Sequence, residues 1–159
     1  MHALPKTDTA TELTDLVNKT AHEFTSLSDS YWSDKPLADK WSRKEILGHL
    51  IDSAVNNLRR FCESQYAEIE PYVIQKYEQE HLVKTNDYQN LPVEHLIRLW
   101  TNLNAHIAYV LRSMPPVKRE VRVLTPEGNI ETLGWLAEDY VIHMQHHLDQ
   151  IFDPHWPHG

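Results

Sequence analysis

The chain has 159 residues, of which 41% are hydrophobic and 24% charged, and its formal net charge is −8. These proportions are typical of one soluble globular domain, and no apolar run approaches the roughly 20 residues that a membrane span needs. The negative charge disfavours nonspecific binding to nucleic acid or to anionic membranes, because both are polyanions. A single cysteine, Cys62, forbids an internal disulfide. It fits the reducing cytoplasm, where we expect the protein to reside.

The first half of the chain predicts two amphipathic helices. Apolar residues at helical spacing cover about residues 9–32, and Pro36 follows them. A second helix begins at Ser42, since Glu45 three residues later completes a capping box. Its apolar stripe continues to about Tyr66.

Residues 67–91 show a less regular pattern. A short helical piece is expected from Tyr77 to Val83, and Asn86-Asp87 indicates a turn. A connection of this length is unusual in a compact domain and is more often functional, for example as a lid over a site.

The second half predicts two more long helices, which together with the first two indicate an all-α four-helix bundle. The third runs from Pro92 to the Pro115-Pro116 pair, and the fourth begins at Thr132 as its N-cap. Alternation over residues 119–124, before the turn residues at 126–129, predicts a small extended arm or hairpin between them. We therefore expect one domain over residues 1–159, with its core at about 9–152 and a loosely ordered tail at 153–159.

Two histidines stand four residues apart on the last predicted helix. His143 and His147 lie one turn apart on one face, where a single cation can reach both imidazoles. At about 100° per residue, His147 falls near the centre of the apolar stripe and His143 on its flank, whereas His146 faces solvent. The spacing alone leaves a second interpretation open, in which one histidine is buried and hydrogen-bonded and the other partly exposed.

A third ligand is needed, because a catalytic zinc usually has three protein ligands. His49 lies at the edge of the apolar stripe of the second predicted helix, where a bundle allows it to meet the flank that bears His143. Histidine is only intermediate in burial, so the weaker candidates are expected to be solvated. They are His22, His81, His95 and His106.

Other residues favour structural roles. Trp41, Trp100 and Trp135 occupy helical positions and are expected in the core or an interface rather than as substrate platforms. Cys62 follows Phe61 and is expected to be a buried, inert thiol. No glycine-rich phosphate-binding loop occurs, so the sequence offers no support for nucleotide hydrolysis.

Two segments resemble the signatures of the DinB-like superfamily. WSRKEILGHLIDS, at residues 41–53, is similar to its first signature, and YVIHMQHHLDQI, at residues 140–151, is similar to its second. The order of helices and the segment at 125–133 resemble the YfiT branch in particular. The resemblance implies a four-helix bundle that holds a divalent metal ion, zinc or nickel. It places the ligands on three histidines, His49, His143 and His147.

The resemblance implies a range of activities. Members of the DinB-like superfamily are described as metal-dependent hydrolases, as thiol-dependent transferases or isomerases, and as stress-induced proteins of unknown activity. We therefore expect an enzyme that acts on a small molecule, with water or a low-molecular-weight thiol as the activated group. The alternatives are a non-catalytic, stress-related metal-binding bundle and a metal-free helical scaffold. A homodimer is implied by the resemblance alone.

Three neutral imidazoles would leave open positions on a metal ion, which is typical of catalytic sites. Such an ion can activate water or hold a thiol as thiolate. Met144 stands where a zincin protease has its glutamate, which disfavours peptidase chemistry. Asp52 and Asp139, one turn from His49 and His143, are candidates for orienting the imidazoles. Both could equally be ordinary carboxylates on the helix surface.

Overall fold

The computed structural model describes residues 8–157. Its helices are α1 (Thr9–Phe24), α2 (Asp29–Ser33), α3 (Arg43–Glu63), α4 (Gln79–Thr85), α5 (Val93–Ser113) and α6 (Leu133–Phe152). The four long helices form a bundle in which α1 and α3 each pack against both α5 and α6. Within residues 8–157, no helix has the length and apolar character that a membrane crossing requires.

Side-chain caps begin the two helices that carry the candidate ligands. The Ser42 hydroxyl accepts from the Glu45 backbone N–H, and the Glu45 carboxylate accepts from that of Ser42, which confirms the capping box. Thr132 caps α6 by accepting from Trp135 N–H at 3.0 Å. These local signals fix where each helix begins, and therefore which turn bears each histidine.

The prediction of one helix over residues 9–32 is wrong. Helix α1 ends at Phe24, where the Thr25 and Ser26 hydroxyls donate to backbone carbonyls of the last turn. Ser28 then caps the separate helix α2 through the N–H of Tyr31 at 3.2 Å. Short polar side chains compete here for the backbone hydrogen-bonding groups, and this competition favours a break in the helix. The apolar spacing continues across the break and therefore does not reveal it.

The connection between α3 and α5 differs in detail from the prediction. Helix α3 ends at Glu63 rather than near Tyr66, and α4 starts two residues later than the expected piece at Tyr77. Asp87 adopts a left-handed conformation, with φ 54°, which confirms a turn there. A single 3₁₀ turn at Tyr88–Asn90 precedes α5.

A small three-stranded sheet lies beside the bundle. Its strands are β1 (Tyr72–Val73), β2 (Arg122–Leu124) and β3 (Ile130–Thr132). The hairpin of β2 and β3 confirms the predicted excursion, although a 3₁₀ turn at 116–120 delays the start of the strand. Strand β1 pairs in parallel with β2, so the long connection is fastened to the segment before α6.

Aromatic side chains fill the centre of the core. The ring centroid of Phe24 lies 4.9 Å from that of Trp32 and 5.5 Å from that of Trp100, and both indoles are fully buried. The core position expected for Trp100 is confirmed, whereas Trp135 is exposed. Cys62 is half-buried rather than buried.

Arg43 fastens the start of α3 to the end of α6. Its buried guanidinium donates from Nε to Ile151 O at 3.2 Å and from Nη2 to Asp153 O at 2.6 Å. The same group lies 3.9 Å above the Tyr31 ring centroid, a cation–π contact. These contacts satisfy carbonyls at the C-terminus of α6 and set the register between the helices that carry the candidate ligands.

The residues after α6 do not form the expected loose tail. Trp156 packs against the core, and its indole N–H donates to Trp41 O at 3.4 Å. An apolar side chain that can bury itself gains more than a solvated tail would, which is why the chain folds back at 153–157. Residues 158 and 159, which belong to the same prediction, lie outside the described residues.

Candidate metal centre

His49 and His147 meet between α3 and α6. Their ring centroids are 4.7 Å apart, and the ring planes cross at 75°. His49 is only 4% exposed, whereas His147 is half-buried. The structure therefore brings together two of the three histidines that the sequence singled out, from helices far apart in the chain.

His143 lies at the rim of this pair. It is close enough for its charge to lower the pKa values of both His49 and His147. Its side chain is 68% exposed, and its Nε2 lies 3.5 Å from Asp139 Oδ2, one turn back on α6. The expected inward position of His143 is therefore not adopted in this structure. Across residues 8–157, no three His, Cys, Asp or Glu side chains form a ready-made metal-binding group.

His49 is held in its neutral form. Burial lowers its pKa to about 4, and the charges of His147 and His143 add to the effect. Its Nδ1 is buried and, among the residues that the structure describes, has no hydrogen-bond partner. A neutral imidazole is the form that binds a cation, so this environment favours metal binding over protonation.

Gln150 contacts the ring of His147. The Gln150 Oε1 lies 2.9 Å from His147 Nδ1, and its Nε2 lies 3.5 Å from Nε2 of the neighbouring His146. Burial lowers the pKa of His147, as it does for His49. Gln150 is a residue of the site that no sequence pattern singled out. Its signal was available, since Gln150 lies three residues after His147 and so on the same face of α6.

Trp41 also contacts the ring of His49. Its ring centroid lies 5.1 Å from that of His49, with 32° between the planes. Its indole N–H donates to Glu80 Oε2 at 3.1 Å, so α4 borders the site through this contact. Trp41 is half-buried and belongs to the wall of the site rather than to the centre of the core.

Asp52 lies one turn after His49 and is buried. Its Oδ1 accepts from the Tyr88 hydroxyl at 2.6 Å and from Asn86 Nδ2 at 3.2 Å. Burial raises the pKa of this carboxyl, and the bond from Tyr88 opposes the rise. Within residues 8–157 its Oδ2 is buried without a partner. Asp52 is therefore not an ordinary surface carboxylate, and its known contacts anchor the segment before α5.

The remaining histidines of the helices lie on the surface, as expected. His146 is exposed, which confirms that helix geometry separates it from the inward face of α6. The weaker candidates are all exposed too, namely His22, His81, His95 and His106.

Acidification of the metal-free protein from about pH 7.5 to about pH 5 is expected to lower its free energy of unfolding by about 2 kcal/mol through His49 alone. The folded-state pKa of about 4 lies below the ordinary 6.5, so between these values the unfolded chain takes up a proton that the folded protein does not. Urea unfolding in the presence of a chelator measures this loss. A His49→Gln variant lacks the ring and should lose that component. Equal pH dependence in both proteins would contradict the burial of a neutral His49.

The sequence is similar to those of known proteins. A model of the DinB superfamily matches residues 12–151. A protein of Geobacillus thermodenitrificans (strain NG80-2), named "Putative metal-dependent hydrolase", is 29% identical over 113 residues. That match takes in 70% of this chain and 62% of the relative, so the chain spans less than two thirds of the relative's length.

Solved structures share the fold. YfiT from Bacillus subtilis, described as "a probable metal-dependent hydrolase with an unusual four-helix bundle topology", aligns with a TM-score of 0.78. The identity is 20%, over 94% of this chain and 90% of that one. The mycothiol-dependent maleylpyruvate isomerase aligns with a TM-score of 0.71 and 13% identity, over 94% of this chain and 65% of that one. At these identities the likeness establishes the helical bundle and nothing finer.

Proposed function

Since this chain belongs to the DinB superfamily, we propose that it is a metal-dependent enzyme whose divalent ion binds to His49, His143 and His147. One observation carries the proposal: a buried, neutral His49 on α3 contacts His147 on α6, with ring centroids 4.7 Å apart. Contact between two imidazoles contributes little hydrophobic stabilisation by itself. A metal ion bound by both rings would account for their close approach.

The chemistry of the residues fits a divalent ion of the zinc or nickel type. Imidazole nitrogen suits both metals, and three such ligands leave coordination positions open. The enclosed Nδ1 of His49 leaves Nε2 as the nitrogen for a metal ion. His143 completes the set by turning from Asp139 toward the pair, a side-chain rotation on an exposed stretch of α6.

Two carboxylates are proposed to orient ligand rings. Asp139 lies 3.5 Å from His143 Nε2, a contact that the rotation breaks, so Asp139 would orient the metal-bound ring only through its other nitrogen, Nδ1. Asp52 and His49 both carry a buried atom without a partner among residues 8–157, namely Oδ2 and Nδ1. Residues three apart on a helix are neighbours, so a bond from Nδ1–H to Oδ2 would satisfy both atoms. Such a bond would also fix the ring tautomer of His49.

A bound divalent ion with open positions supplies an activated water or a thiolate, and polarises a substrate carbonyl. The chain supplies the surroundings for this chemistry. Trp41 shields His49 from water on one side, and the hydrogen bond to Glu80 holds α4 beside the site. The predicted lid over residues 67–91 would act through this contact. We propose a small molecule as substrate, with hydrolysis or thiol-S-transfer as the reaction. Met144 leaves no zincin-type general base on α6.

Turnover by the protein with and without metal tests this function. Metal-free protein is prepared with a chelator and reloaded with zinc or nickel. It is then assayed on a panel of simple amides, esters, and electrophiles with a low-molecular-weight thiol. We expect turnover with at least one class, only after reloading. Bound metal that raises the melting temperature without any turnover would instead support the non-catalytic metal-binding alternative.

A further inference from the structure

The amide of Gln150 lies between two histidine rings and offers a different group to each. Its Oε1 lies 2.9 Å from Nδ1 of His147, and its Nε2 lies 3.5 Å from Nε2 of His146. The amide oxygen only accepts hydrogen bonds, and the amide nitrogen only donates them. In this orientation, the His147 nitrogen that faces Gln150 must carry the proton.

The opposite orientation of the amide would reverse this assignment. With its NH₂ group toward His147, Nδ1 would be the acceptor and Nε2 would carry the ring proton. In the orientation that the structure shows, Nε2 of His146 faces the NH₂ group at 3.5 Å and is its acceptor, whereas the opposite orientation would require that nitrogen to carry a proton. The ring of His146 lies beside that of His147, with centroids 5.3 Å apart.

We propose that Gln150 is a positioning residue that holds His147 as its Nδ1–H tautomer and leaves the lone pair of Nε2 free for the metal ion. The part that concerns metal rests on the proposed function. The part that concerns the tautomer is a property of the metal-free protein. A histidine nitrogen binds a metal only when it is unprotonated, and the bond made by the other nitrogen decides which one that is.

A neutral amide suits this position better than a carboxylate would. Burial lowers the pKa of His147, and the charges of His146 and His143 act in the same direction, whereas the bond to Gln150 raises it. A carboxylate would stabilise the protonated imidazolium more strongly, because it is itself charged. The amide fixes the tautomer without making protonation a strong competitor of the metal.

Three variants test the role of Gln150. Gln150→Met removes the acceptor at similar size, and Gln150→Glu keeps an acceptor. Gln145→Met changes a glutamine on the same helix that bonds to Asp149 instead, at 2.9 Å. Long-range ¹H–¹⁵N correlation spectra of the metal-free proteins give the tautomer of His147, with its signals assigned by their loss in His147→Gln. Zinc affinity is measured by competition with a chromophoric chelator.

The wild type, Gln150→Glu and Gln145→Met are expected to show the Nδ1–H tautomer, and Gln150→Met a large population of Nε2–H. Zinc affinity should fall about 10- to 100-fold in Gln150→Met, and by less than about threefold in Gln145→Met. Partial rescue of affinity by Gln150→Glu at pH 8 would support the hydrogen-bond role.

A wild type with the Nε2–H tautomer, or a Gln150→Met protein with wild-type tautomer and affinity, would overturn the inference. If Gln150→Met loses its secondary structure, the tautomer of His147 in the wild type and in Gln150→Glu still tests the inference. If His49→Gln and His147→Gln both keep full metal content, the proposed function fails while the tautomer result stands. If both lose metal but Gln150→Met changes nothing, only the role of Gln150 fails.

Discussion

Replacement of His49 by Gln is expected to abolish stoichiometric binding of the divalent ion. The variant keeps a polar side chain of similar length at this buried position, but it removes the imidazole on α3 that contacts His147. Removal of a residue that hydrogen-bonds to a metal ligand typically lowers metal affinity about 10- to 100-fold. Removal of a ligand itself should lower the affinity by more than that. Elemental analysis after equilibrium dialysis against zinc or nickel measures the change.

The matched control for this variant is His95→Gln, which changes an exposed histidine on α5 outside the site. It should keep the wild-type metal content and affinity. Circular dichroism and urea unfolding in chelator show whether His49→Gln keeps the fold. A folded His49→Gln protein with wild-type metal content would remove His49 from the site and with it the proposed function.

Replacement of Gly48 by Ala is expected to lower the free energy of unfolding by about 3 kcal/mol. A Cβ at this position would lie 2.8 Å from the Tyr88 Cβ and closer still to the Cγ and Cδ2 of that ring. These atoms sit at the base of the side chain, so the 3₁₀ turn itself has to move. The displaced ring would also lose its bond to the buried Asp52, 2.6 Å in the native protein. Urea unfolding measures the loss.

Gly134→Ala provides the matched control for Gly48→Ala. Gly134 is also helical, but a Cβ there would meet its nearest neighbour, Arg119 O, at 3.4 Å, which is ordinary contact. Alanine has the higher helix propensity, so this variant should be neutral or more stable by up to about 1 kcal/mol. Similar losses in both variants would mean that close packing of Tyr88 on Gly48 does not decide the outcome.

The long helices could be predicted because their signals are local. The Ser42–Glu45 box and the Thr132 cap use side chains within three residues of the backbone groups they satisfy. An amphipathic stripe is likewise visible within one helix. The break at 25–28 was missed because its cause is a competition between local hydrogen bonds, and the apolar spacing carries no record of it.

The parallel pairing of β1 with β2 could not be predicted in the same way. Two residues, Tyr72 and Val73, give too short a segment to show an alternating pattern. Their partners, Val123 and Leu124, lie far along the chain, so nothing near β1 indicates the pairing. The contact of Trp156 with Trp41 could not be predicted for the same reason, because the two residues lie far apart in the chain.

In the candidate site, too, the positions that follow from helix spacing could be predicted, whereas those that depend on side-chain contacts could not. Helix spacing placed His147 inward and His146 outward, and the structure agrees on both. It placed His143 on the inward side as well, but the side chain lies at the surface, 68% exposed and 3.5 Å from Asp139. The contact of Gln150 with His147 could not be predicted, because the sequence does not show which ring nitrogen of His147 faces the amide.

Anomalous diffraction from crystals of the zinc-loaded protein would show whether the three histidines share one metal ion. We predict one strong peak between α3 and α6, about 2.0–2.1 Å from a nitrogen of each of His49, His143 and His147, with at least one position open to solvent or a small ligand. His143 should be turned away from Asp139 relative to its present position, 3.5 Å from that carboxylate. A peak bound elsewhere, or ordered crystals with no peak at His49 and His147, would contradict the account.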